Sequence, residues 1–170
     1  MSKAFTDEEA ADSPPIVAPR PPLPPGTPNY VTPRGLAALR AELAALQAER
    51  ASAERIGADA ERAQALGALA RRRAELEQRI ASAELVTPAG VVADGVRFGM
   101  RVTLGGAGGE RSYRIVGVDE ADAAQGRIAF VSPLARELLG RSVGDALRVR
   151  TPGGEEELEI LAIDASAEPV

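Results

Sequence analysis

The sequence predicts an α+β chain: an N-terminal antiparallel helical hairpin of coiled-coil type, followed by a small antiparallel β-sheet domain with one short helix. Three observations predict it. Leucines recur at intervals of three and four residues on both sides of Gly57, the spacing of a narrow helical seam. From about Val91 onward the apolar period falls to two, in five short stretches, several of them separated by glycines or prolines. Ahead of both lies a proline-rich stretch, with eight of the 13 prolines between Pro14 and Pro28.

Residues 1–29 read as a disordered tail, because prolines lack N–H donors and fix φ, which excludes both helix and central strand. A plain extended linker and a polyproline ligand for an SH3-type groove are both open readings. The first helix starts at Thr32, whose hydroxyl can cap free amides, with Pro33 at the first helical position, where the missing N–H costs nothing. Leu36, Leu39, Leu43 and Leu46 then form one seam, and Leu66, Leu69, Arg73, Leu76, Ile80 and Ala83 form a second. A seam this narrow is best buried against another of its kind, so residues 30–86 are expected to fold back on themselves about Gly57. Arms of about 24 residues give a finger of roughly 35 Å. Its tip falls near Ile56 to Glu61, and antiparallel register brings Arg40 near Glu77.

Thr87 to Gly90 reads as a linker, since Pro88 disfavours helical geometry at Thr87. Few contacts are expected between the units on either side of it. Residues 91–165 form the second domain, with strands at "RFGMRVTL", "RSYRIVGVD", "GRIAFVS", "DALRVRT" and "EEELEILAI". Between the third and fourth, "SPLARELLG" carries a capping Ser132, an opening Pro133 and a closing Gly140 for a single short helix.

Composition narrows the function. The 170 residues contain neither cysteine nor histidine, which removes thiolate nucleophiles, zinc knuckles and the commonest general base. Net charge is −5, with Lys3 the one lysine beside 19 arginines, so broad capture of a nucleic-acid backbone is not the expected source of affinity. No apolar run is long enough to cross a bilayer. A cytoplasmic monomer with a protein partner and no membrane association is the expectation.

"YRIVGVDEAD" (Tyr113 to Asp122), "VSPLARELLGRSVGD" (Val131 to Asp145) and "TPGGEEELEILAI" (Thr151 to Ile163) resemble the C-terminal domain of the bacterial GreA/GreB transcription elongation factors. "YVTPRGLAALRAELAAL" resembles the opening of their N-terminal coiled-coil hairpin. The resemblance covers roughly residues 29–164 and implies an FKBP-like C-terminal domain that docks at the rim of the RNA polymerase secondary channel. The hairpin then enters that channel, where two acidic tip residues help hold a magnesium ion and a water while the polymerase cleaves backtracked RNA. The implied factor is accessory rather than an enzyme. It has no cofactor of its own, acts on Mg2+ in the polymerase active site, and meets RNA and DNA only within the elongation complex.

The tip departs from the family pattern. Where members carry Gly-Asp-x-x-Glu-Asn-Ala, this chain has Gly57-Ala58-Asp59-Ala60-Glu61-Arg62-Ala63. Glu61 matches, but Ala58 stands at the aspartate position and Arg62 at the asparagine position, with Asp59 displaced by one residue. The finger is also shorter than in the family. Asp59 and Glu61 are the candidate tip ligands; the bland alternative makes Asp59 an N-cap and Glu61 a first-turn acid of the second helix. Ser132, Pro133 and Leu134 are candidate polymerase contacts by resemblance, or simply cap and seat the short helix. Arg71, Arg72 and Arg73 are either a solvated, partly paired face or an RNA contact.

The expected function is that of a Gre-type factor regulating elongation or rescue of backtracked complexes, the tip departure counting against cleavage stimulation. A cleavage-deficient competitor of other channel-binding factors and a coiled-coil adaptor remain alternatives. Prolyl isomerase activity is disfavoured, because three phenylalanines and two tyrosines leave little for an aromatic-lined pocket.

Overall fold

The computed structural model describes residues 20–88, 95–151 and 154–169. The first 19 residues of the expected tail, and part of the linker and of the second domain's first residues, lie outside them. The described elements are β1 (Asn29–Val31), α1 (Pro33–Ala53), α2 (Asp59–Ala81), β2 (Ala83–Leu85), β3 (Arg101–Gly106), β4 (Gly109–Val116), β5 (Arg127–Ala129), α3 (Pro133–Leu138), β6 (Ala146–Thr151) and β7 (Gly154–Asp164). The fold is α+β. No described helix is long and apolar enough to cross a membrane.

Thr32 caps α1 as its sequence position requires: its backbone is extended and its Oγ1 accepts from the Gly35 amide at 3.0 Å, with Pro33 at the head of the helix. α1 and α2 run antiparallel. Asn29, just before α1, donates from Nδ2 to the carbonyl of Arg79 near the end of α2, while Arg62 at the start of α2 reaches the carbonyl of Ile56 just past α1. Leu39, Leu46 and Leu76 are buried between them together with Val31, flanked by Leu36, Leu43, Leu69, Ile80 and Ala83. Each fully buried leucine contributes on the order of 2 kcal/mol, so the pair is held mainly by this seam.

Three details differ from expectation. Ala83 sits in a strand rather than in the helix, because β1 and β2 pair in parallel, Asn29 to Ala83 and Val31 to Leu85, and close the open end of the helix pair. Arg40 does not pair with Glu77, which is taken by Arg73 one turn away; the ion pair that crosses between the helices is Arg72 with Glu49 at 2.8 Å. The tail ends before residue 29: Arg20 pairs with Glu42 on α1 and with Asp119, and the Pro21 carbonyl accepts from Arg79 on α2. Extended proline backbone has few N–H donors to spend on itself, but it offers carbonyls, and here arginines anchor it.

The second sheet has the order β5-β4-β3-β7-β6. It is mixed rather than antiparallel. β3, β4, β6 and β7 pair antiparallel, but β5 runs parallel to β4, because two 3-10 turns at Val118–Glu120 and Ala123–Gln125 carry the chain back before β5 begins. Met100, Val102, Leu104, Ile115, Leu147, Leu158 and Ile160 face one side and bury Ala135 and Leu138 of α3. A register shift at Thr103/Leu104 leaves Leu161 unpaired and exposed and turns Ile163, rather than Ala162, into the core.

The two halves keep separate buried clusters but share a built junction, which the expectation of few contacts does not match. The rings of Tyr30, Phe98 and Phe130 pack on one another with centroids 5.4 to 5.7 Å apart. Beside them the Glu120 carboxylate accepts from the Thr32 amide at 2.9 Å, from the Thr32 hydroxyl at 2.5 Å and from the Gly117 amide at 3.3 Å. Gly35 is needed here, since a Cβ would overlap the Glu120 carboxyl, and Gly117 is needed where a Cβ would meet the Tyr30 carbonyl.

Candidate functional site

The tip forms where α1 ends at Ala53 and five residues, Glu54 to Ala58, lead into α2. The N-cap of α2 is Ala58 and not Asp59, with no side-chain cap. Asp59 and Glu61 are both in the first turn, where their charge favours the positive end of the helix. Two residues along a helix turn a side chain through about 200°, so the pair faces different directions while α2 stays intact.

Arg62 decides what Asp59 does. Its guanidinium donates to the Ile56 carbonyl at 2.8 Å and also to the Asp59 carboxylate, so it ties the connecting turn to the start of α2. Asp59 is fully solvated otherwise, its side chain 90% exposed, and Glu61 is exposed. A divalent cation of the magnesium type needs convergent oxygens. Here one carboxylate is engaged by a cation and the other points elsewhere, and no group of three acidic, cysteine or histidine side chains is arranged to hold a metal ion among the described residues.

Along the finger, Arg71, Arg72 and Arg73 divide. Arg72 pairs with Glu49 across the helices and Arg73 with Glu77 on its own helix, while Arg71 is exposed and in no ion pair among the described residues. Two of the three arginines are thus paired, and exposed pairs of this kind contribute about 0.2 to 1 kcal/mol each.

At α3, Ser132 is the N-cap, its Oγ accepting from the Ala135 amide at 3.2 Å, with Pro133 at the first position. Gly140 follows the helix at φ 82°, and its amide donates to the Val96 carbonyl. The turn presents Pro133 exposed and Leu134 half-buried against the sheet core, with Ala135 and Leu138 beneath. Leu139 and Val143 just beyond are exposed too, at 37% and 54%. The result is an apolar patch of Pro133, Leu134, Leu139 and Val143 bordered by the exposed charges of Arg136 and Glu137. The tip and the α3 turn come from different halves of the molecule, and the junction at Thr32, Glu120 and Tyr30 fixes one relative to the other.

Sequence reasoning missed that junction. Asp119, with a side chain 2% exposed, takes Arg20 at 2.9 Å on one oxygen and lies 3.1 Å from Arg79 Nε on the other. Its partners lie 99 and 40 residues away in the chain, and no local pattern announces a pairing at that range.

Residues 91–165 match the family described as "Transcription elongation factor, GreA/GreB, C-term". The transcription elongation factor GreA of Anaeromyxobacter sp. (strain K) is 49% identical over 94 residues, which cover 54% of this chain and 57% of that protein. GreA of Acidiphilium cryptum (strain JF-5) is 45% identical over 94 residues, 54% of this chain and 60% of that protein. The chain thus spans somewhat over half the length of these curated relatives. The solved structure of GreA factor homolog 1 of Thermus thermophilus is 23% identical over 81% of this chain and 99% of its own, at a TM-score of 0.38, too loose a superposition to carry an argument. The sequence match over the sheet domain does carry one: residues 91–165 are similar to the C-terminal domain of the GreA/GreB transcription elongation factors.

Proposed function

We propose that this chain is a Gre-type transcription elongation factor that binds bacterial RNA polymerase at its secondary channel, as an accessory protein rather than as an enzyme. The observation that carries the reading is the family match over residues 91–165, the part that includes the α3 turn. In this reading the domain from about residue 91 to 165 is FKBP-like and docks through Ser132, Pro133 and Leu134. The α1–α2 pair of residues 30–86 is the family's coiled-coil hairpin, and it points Asp59 and Glu61 into the channel. Backtracked RNA and its DNA template are met only inside that complex.

The same reading assigns the tip a weak role in transcript cleavage. Cleavage assistance requires oxygens offered to a magnesium ion held mainly by the polymerase. Ala58 supplies none, and Asp59 is held by Arg62. With 21 residues in α1, the arm is roughly 32 Å long, which also limits its reach. A factor that occupies the channel without completing the metal shell regulates by occupancy: it competes with other channel-binding proteins. The adaptor alternative, in which the helix pair joins another coiled coil, is not favoured, because the leucine seam is already consumed between α1 and α2.

The test is binding of the full chain to core RNA polymerase, followed by fluorescence anisotropy of a label on Ser2, mutated to cysteine. Saturable binding that a GreA protein displaces is expected. Failure to bind while the chain is monomeric and folded rejects the assignment.

A further inference from the structure

Beyond the tip and the α3 turn, a third cluster lies on the far side of the junction. After β7, Ser166 and Glu168 fold back over the sheet. The Ser166 carbonyl accepts from Arg114 Nη1 at 2.9 Å, and Glu168 is met by three arginines from three elements. Arg127 of β5 lies 3.1 Å from Glu168 Oε1, Arg34 of α1 3.5 Å and Arg114 of β4 3.8 Å.

All three cations converge on one carboxylate oxygen, and at distances longer than the roughly 2.7 to 2.9 Å of a good charged hydrogen bond. Arg114 is the least satisfied. Its side chain is 6% exposed, its Nη1 is spent on the carbonyls of Gly99 and Ser166, and its Nε is buried with no hydrogen-bond partner. Asp164 and Arg101 also act on Arg114, with opposite signs. Three guanidiniums therefore share one oxygen of Glu168, with Asp164 a second carboxylate acting on Arg114, so the donors of this cluster are not fully matched by acceptors.

We propose that Arg34, Arg114 and Arg127 form an anion site for a terminal phosphate group of a small ligand, and that Glu168 is its built-in occupant. A tetrahedral phosphate dianion offers a separate oxygen to each donor, where the three guanidiniums now share one oxygen of Glu168. The site admits a ligand only by exchange. The cavity beside Glu168, lined by Thr32, Pro33, Pro88 and Gly99 among others, holds about 10 Å³, room for a single water at most. Access is available from the other side, where an open trough of about 310 Å³ has both Arg34 and Arg127 on its wall. Of the trough's carboxylates, Glu42 and Asp119 are paired with Arg20, and Glu120 is held by Thr32. Asp122 accepts from Ala124 and Gln125, and it and Glu120, whose partners are neutral donors, are the carboxylates that oppose an incoming anion. Displacing Glu168 also removes the Arg34 tether between α1 and the segment after β7, so occupancy reports on the junction.

Inorganic phosphate and pyrophosphate, each against chloride at equal ionic strength, are titrated into the full-length wild type, Glu168→Gln and Arg34→Ala with Arg127→Ala, by calorimetry and by amide shifts of Ser166. Removing the internal competitor tightens pyrophosphate binding by about five-fold or more, and losing two charged donors weakens it by about ten-fold or more. If the double variant fails to fold by circular dichroism, Arg34→Ala alone, whose side chain is 41% exposed, takes its place with about a three-fold loss. Glu168→Gln binding no tighter than wild type, or chloride reproducing the response, overturns the proposal.

Discussion

Replacing Glu120 by alanine tests whether the junction holds the molecule together. The carboxylate accepts three hydrogen bonds, two from Thr32 at 2.9 and 2.5 Å and one from Gly117 at 3.3 Å. Thr32 is buried at 6% exposure, so its amide has little access to replacement water. A bond to a charged acceptor is worth about 1.5 to 3 kcal/mol, and an orphaned buried donor costs a similar amount. Since the three bonds share one group and do not add fully, the net loss is about 3 kcal/mol. With a urea slope of about 2 kcal/mol/M, the unfolding midpoint falls by about 1.5 M. Glu120→Gln keeps an acceptor for both amides and loses only about 1 kcal/mol. Equilibrium urea unfolding followed by circular dichroism measures both. A loss under about 0.5 kcal/mol for Glu120→Ala would refute the reasoning, because it would mean that water or a rearranged turn serves Thr32 equally well.

Gly35→Ala forces a Cβ into the same carboxyl and is expected to destabilise the chain by about 1 to 3 kcal/mol, a loss that Glu120→Ala in the same molecule partly relieves, as a double-mutant urea cycle checks. Pro133→Ala and Leu134→Ala are expected to weaken polymerase binding several-fold, about 1 to 2 kcal/mol, by anisotropy; Leu134, packed on the core, also loses stability, whereas exposed Pro133 does not. Asp164 accepts from the Ser166 amide and hydroxyl, which hold its carboxyl below the usual aspartate range. Its contribution is therefore complete above the ordinary value of about 3.9 and is lost as pH falls through the lower folded value, so the segment after β7 stays docked from pH 7 to 5. An NMR titration of Asp164 checks this, and Ser166→Ala should move it part of the way back, since the amide bond remains.

What was readable in the sequence was local. Thr32 and Pro33 at α1, Ser132, Pro133 and Gly140 around α3, and the leucine seam carry their instructions within a turn or two, and the structure follows them. The five alternating stretches gave strands in the right places, but β5 runs parallel because the direction of a strand is set by the turns between Val116 and Arg127, which alternation does not encode. The junction was invisible for the same reason. Glu120 finds Thr32 across 88 residues, Arg20 finds Asp119 across 99, and Tyr30 finds two phenylalanines of the sheet domain; each looks like ordinary surface chemistry when read alone. At the tip, the sequence showed that a carboxylate was missing at Ala58, but not that Arg62 takes up its neighbour Asp59.

The most direct test of the account is a stalled, backtracked elongation complex carrying labelled RNA, with this protein at saturation, compared with Ala58→Asp and with Asp59→Ala, Glu61→Ala together. The account predicts little cleavage by the wild type, a gain with Ala58→Asp, and suppression of cleavage when the wild type is added to a complex already served by a GreA protein. Brisk cleavage by the wild type that the double alanine variant abolishes would contradict it, and would make Asp59 and Glu61 the carboxylates that complete the magnesium shell.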